Sequence, residues 1–146
     1  VSCLEALLWE RQAERYPMLE HPTEFGAFIV RGGGRARIYF SAADRVGQRL
    51  RDVVIDLVTA DVRRGGVLVA HLHNHPFLLG RAPGDRMWTT EATRDDVAGA
   101  LAPSATDVQF YRRLRDSIGL PAAWITNGLD TARFSAAAFE VLAAAE

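Results

Sequence analysis

Lysine is absent from this chain and cysteine nearly so: all seventeen basic residues are arginine, and Cys3 is the one cysteine. A single cysteine excludes an intramolecular disulfide and a cysteine-built zinc finger, so any metal site must come from histidine and carboxylate. Long apolar runs are missing as well. No stretch approaches the roughly 18 residues of a membrane span, and the first twenty residues carry Glu and Arg throughout, not a basic start followed by an apolar block. A cytoplasmic protein with no membrane partner is the expectation. Charge of one sign is also lacking, with a formal net charge of -1 and acids and bases interspersed. That balance gives no electrostatic reason to expect nucleic acid as a partner.

What is present suffices for one folded unit. The 146 residues, 49% of them hydrophobic, fall within the size of one domain with its own core, so residues 1–146 are read as a single domain. Leu4, Leu7 and Leu8 recur at helical spacing through residues 4–15, which Pro17 closes. Residues 25–30 and 36–41 are strand-like around Gly32-Gly33-Gly34, predicting a hairpin with Glu24 at its entrance. From Asp44 onward, Val46, Leu50, Val53, Val54, Leu57 and Val58 predict a second helix, capped by Ser41 or Asp44 and ending near residues 63–66.

Val67-Leu68-Val69-Ala70 reads as a buried central strand with histidines at its exit. Residues 77–102 read as a long loop with a short helix around 90–101. A third helix opens at Pro103-Ser104 and runs through Arg115, ended by Gly119 and Pro121. A strand over 122–126 and a turn, strand and helix over 127–145 complete an alternating order. The fold class is therefore α/β (α+β): a single mixed β-sheet flanked by helices, without internal repeats.

Side chains two apart on a strand share a face, so His73 and His75 point the same way, close enough to share one metal ion. Imidazole suits zinc, and a catalytic zinc usually takes three protein ligands, so a carboxylate at a nearby helix start would complete the set. His71 lies on the same face, and a three-histidine zinc site is chemically competent. Its place deeper toward the apolar run suits a buried, hydrogen-bonded residue instead.

Glu24, His73-Asn74-His75-Pro76 and Ser104-Ala105-Thr106-Asp107 together resemble the signature of the JAMM metalloprotease family, also called MPN-plus or prokaryotic JAB domains. That signature is a Glu, then His-x-His-Pro, then Ser-x-x-Asp. The wording is most similar to the RadC-like bacterial branch, and the resemblance runs from the first helix to about Gly128. It implies a cytidine-deaminase-like JAB/MPN architecture and zinc (Zn2+) held by His73, His75 and Asp107. It further implies Glu24 as the acid and base working on water at the metal, and Ser104 as donor to the tetrahedral oxyanion.

The activity so implied is that of a zinc-dependent metalloprotease or isopeptidase. Its protein or peptide substrate would be cut at the C-terminus of a ubiquitin-like modifier or small carrier protein. Freedom from lysine fits both a GC-rich genome and an enzyme that cannot be conjugated through its own side chains. The alternatives are a catalytically silent MPN-type scaffold, a RadC-like nucleic-acid-associated protein, and a metal-dependent toxin or deamidase domain.

Two positions depart from the family pattern. Twenty-eight residues separate His75 from Ser104 where the family has seven, an insertion over about 77–102 that can loop out at small entropic cost. Within it, Thr93-Arg94-Asp95-Asp96 offers a competing Thr-x-x-Asp, without the preceding Pro or the following helix that favour Asp107. Residues 122–128 also lack the Asp-His of the RadC-like branch.

Overall fold

A computed structural model describes residues 2–16, 23–43, 50–75 and 99–144. In chain order these form α1 (Ser2–Ala13), β1 (Phe25–Gly32), β2 (Arg35–Ala42), α2 (Asp52–Arg63), β3 (Val67–Asn74), α3 (Ala105–Ile118), β4 (Ala122–Thr126), β5 (Thr131–Ser135) and α4 (Ala136–Ala144). The strands make one five-stranded sheet in the order β2-β1-β3-β4-β5. All neighbours are antiparallel except β3 and β4, which run parallel through the α3 crossover. The mixed α/β class expected from the sequence is what the chain adopts.

The hairpin forms because Gly33 and Gly34 take φ of 58° and 73°, the left-handed conformation a tight two-residue turn demands. β1 is buried on both faces over residues 25–30, as a strand flanked by two others and covered above and below must be. On one face, Leu8 of α1 packs with Phe25, Ala27 and Leu72, joined by Trp9, Phe40 and Trp124. On the other, Phe28, Val30 and Ala123 pack with Val54 and Val58 of α2, Tyr111 and Leu114 of α3, and Phe139 of α4. Among the described residues no helix is long and apolar enough to cross a membrane.

Several boundaries differ from the sequence reading. β3 does not stop at Ala70: it continues to Asn74, because β1 pairs with it through His73 and β4 through Asn74. His71 and His73 therefore sit within the sheet, and His75 follows directly after the strand. Helix α2 is described from Asp52, with Arg51 as its N-cap and no side-chain cap; Ser41 belongs to β2, and Asp44 lies outside the described residues. Helix α3 extends a turn beyond Arg115 to Ile118, where Gly119 at φ 70° ends it. Pro17, Pro76 and residues 77–98, with Asp96, lie outside the described residues, and 99–102 are not helical.

Candidate metal centre

The site is built at one end of β3, on the sheet face that carries α3. His71 pairs across the sheet with Phe28 and His73 with Gly26. The end of the Leu50 side chain lies over Gly26, where a Cβ would displace it. Asp107 approaches from the first turn of α3. Ser104 caps that helix, its hydroxyl accepting from the Asp107 amide (3.3 Å) while Asp107 Oδ2 accepts from the Ser104 amide (2.9 Å) and hydroxyl (2.8 Å). The capping box holds the carboxylate at the helix N-terminus, where the helix dipole favours negative charge.

Three ligand atoms converge. His73 Nε2 lies 3.0 Å from His75 Nε2, and each lies 3.5 Å from an oxygen of Asp107, Oδ1 for His73 and Oδ2 for His75. Among the described residues these three side chains are the group able to hold a metal ion. Bonds of about 2.0–2.1 Å to a tetrahedral zinc put ligand atoms roughly 3.3 Å apart, and the three side chains offer one ligand atom each within 4.8 Å of one another. The outer ring nitrogens are already engaged. His75 Nδ1 donates to the Ala100 carbonyl at 2.7 Å, which turns Nε2 toward His73 and Asp107. His73 Nδ1 meets the Tyr111 hydroxyl at 3.2 Å. Imidazoles that bind metal through Nε2 are commonly oriented in this way through Nδ1. The donor chemistry therefore fits a divalent cation, with three protein ligands and a position for water or substrate.

Burial sharpens the electrostatics. His75 is 1% exposed and His73 8%. Burial pushes the Asp107 carboxyl up, but the His73 charge and hydrogen bonds from His73, His75 and Ser104 outweigh it and hold the group well below the usual carboxylate range. Burial, then the neighbouring His73, pushes His71 down to about 3, so it is neutral at physiological pH. Its ring stacks on His73 and packs against Phe28, Phe110 and Tyr111, and its Nδ1 has no partner among the described residues. His71 is a core residue supporting the ligand, outside the convergent set.

Glu24 precedes β1, and its carbonyl accepts from the Ala43 amide at 2.9 Å, which prolongs the β1–β2 ladder by one residue. Strand alternation puts Glu24 on the face of Gly26 and Phe28, hence of His73 and His71. The same register places it at the level of His75, half-buried. The structure brings His73, His75 and Asp107 together, with Ser104 hydrogen-bonded to Asp107, and strand alternation sets Glu24 on the same face. The sequence reading named these five residues. It missed Tyr111, whose signal is its position one helical turn after Asp107, and Asn74, which appeared only as the spacer between the histidines.

No protein-family model, curated protein or solved structure matches the chain. What bears on function is the site's own geometry and donor set.

Proposed function

We propose that the chain is a zinc-dependent metallohydrolase of amide bonds. Its substrate would be a peptide or isopeptide bond at the C-terminus of a ubiquitin-like modifier or small carrier protein, met in the cytoplasm. The observation that carries this reading is the convergence of His73 Nε2, His75 Nε2 and the Asp107 carboxylate, with both Nδ1 atoms tied back. The same donor types can hold non-haem iron, and imidazole with carboxylate is equally a zinc donor set.

Zinc in such a site polarises a carbonyl oxygen and lowers the pKa of water from 15.7 to roughly 7. The chain's own residues supply the rest. Glu24 takes a proton from the attacking water and returns it to the leaving amine, the work of a carboxylate in a partly desolvated place. Asp107, kept ionised by its surroundings, balances charge at the centre. The Ser104 hydroxyl hydrogen goes to Asp107 Oδ2, so its standing contribution is to orient that ligand, and donation to an oxyanion requires the hydroxyl to turn.

The test is cleavage of a modifier fused through its C-terminus to a lysine side chain, by zinc-loaded wild type and Glu24→Gln. Cleavage by wild type, lost by about 10²-fold or more in a variant that still holds zinc, supports the hydrolase. Equal rates for the two would remove Glu24 from its role, and zinc bound without turnover on any such fusion would favour the scaffold reading.

A further inference from the structure

We propose that Asn74 is a positioning residue that locks the peptide groups on both sides of Glu24 to the strand carrying the two histidines; this rests on the hydrolase reading above. Asn74 is fully buried. It is the spacer in His73-Asn74-His75, so strand alternation sends its side chain to the opposite face from its neighbours. There its Oδ1 accepts from the Phe25 amide at 2.6 Å and its Nδ2 donates to the Thr23 carbonyl at 3.1 Å. Those two groups belong to the peptides immediately before and after the Glu24 Cα. One side-chain amide thus grips both planes that set the direction of the Glu24 side chain.

The clamp sits where the sheet would otherwise lose hold of this segment. Paired residues of β1 and β3 end at Gly26 and His73, whereas β3 stays with β4 through Asn74 and Thr126, and the His75 amide donates to Thr126. The Asn74 amide replaces the missing ladder bonds between β1 and β3 at the metal end. From the other side, Gln12 of α1, also fully buried, donates through Nε2 to Thr23 Oγ1 (2.6 Å), the Glu24 carbonyl (3.2 Å) and the Ala43 carbonyl (3.0 Å). The chemistry demands an amide at position 74. It must offer one donor and one acceptor on a short arm; aspartate loses the donor, and serine cannot reach both. The residue between two metal ligands thereby fixes the carboxylate that works beside them, and ligands and base are held as one unit.

The experiment uses the full chain labelled with 13C at glutamate side-chain carboxyls, the Glu24 resonance being assigned by its loss in Glu24→Gln, with Zn2+ as probe. In wild type, zinc addition shifts the Glu24 resonance. In Asn74→Ala, zinc still binds with affinity within about threefold of wild type, the Glu24 shift is lost, and the Phe25 amide exchanges with solvent about tenfold faster or more. Asn74→Ser carries the same comparison if the alanine variant does not fold. A Glu24 shift of wild-type size in the folded, zinc-bound variant overturns the role of Asn74 and leaves the hydrolase reading standing. Zinc that binds wild type without moving the Glu24 resonance, or fails to bind at all, overturns the hydrolase reading and this inference with it.

Discussion

The Nε2 atoms of His73 and His75 face each other at 3.0 Å inside a part of the sheet almost closed to solvent. The His75 ring gives its Nδ1 hydrogen to Ala100, so the neutral ring presents Nε2 as an acceptor toward His73 and Asp107. A cation between the rings satisfies both lone pairs and the Asp107 carboxylate at once, and a ligand bound by the folded state alone stabilises it by mass action. Zinc at a hundredfold its dissociation constant should add about 2.7 kcal/mol, read as a raised Tm. His73→Ala should show no rise, and a chelator should reverse the gain in wild type.

Tyr111 tests the orientation of the ligands separately from their identity. It stands one turn beyond Asp107 on α3, so one helix face meets both nitrogens of His73: Asp107 at Nε2 and Tyr111 at Nδ1. Tyr111→Phe removes one hydroxyl from a fully buried position and keeps the ring packing against Phe139. Zinc affinity should fall by about 10- to 100-fold, measured by competition with a chelator of known affinity. An unchanged affinity would mean that the hydroxyl does not orient His73.

Ser104 is expected to show its cost first in stability. Ser104→Ala loses the helix cap and a hydrogen bond to Asp107 Oδ2, which should lower unfolding free energy by about 1 kcal/mol. Urea denaturation measures this directly. A loss well under half of that would contradict the capping geometry.

Away from the site, Asp61 on α2 anchors the edge of the sheet. Arg37 grips it through two nitrogens, at 2.6 and 2.8 Å, and the Tyr39 hydroxyl donates at 2.8 Å. The Arg37 hydrogen bonds, then that of Tyr39, hold the Asp61 carboxyl below its ordinary value. In acid the unfolded chain therefore binds this proton before the folded one does. The stabilisation is complete above the ordinary carboxylate range and is lost as pH falls through the lowered folded value. Asp61→Asn should be less stable than wild type at neutral pH, and the gap should narrow below about pH 4. A constant gap across a pH series of urea midpoints would contradict this.

The elements were legible wherever periodicity or turn chemistry was strong. Gly33-Gly34 announced the hairpin, and Val54 and Val58 the buried stripe of α2. Ser104 and Asp107 announced the start of α3, because capping is a local matter written in four adjacent residues. The end of β3 was not legible. His71, His73 and Asn74 interrupt the apolar run, and only the neighbours β1 and β4 make residues 71–74 strand. The roles of Asn74 and Gln12 were hidden for the same reason. A buried amide has no periodicity of its own, and its partners Thr23, Phe25 and Ala43 lie tens of residues away or on another element.

The most direct measurement is the metal content of purified, zinc-reconstituted wild type beside His75→Ala. If His73, His75 and Asp107 form the centre of a zinc hydrolase, wild type carries stoichiometric zinc and the variant, still folded by circular dichroism, carries little or none. Absence of bound zinc from reconstituted wild type, or equal zinc in the folded variant, would contradict it.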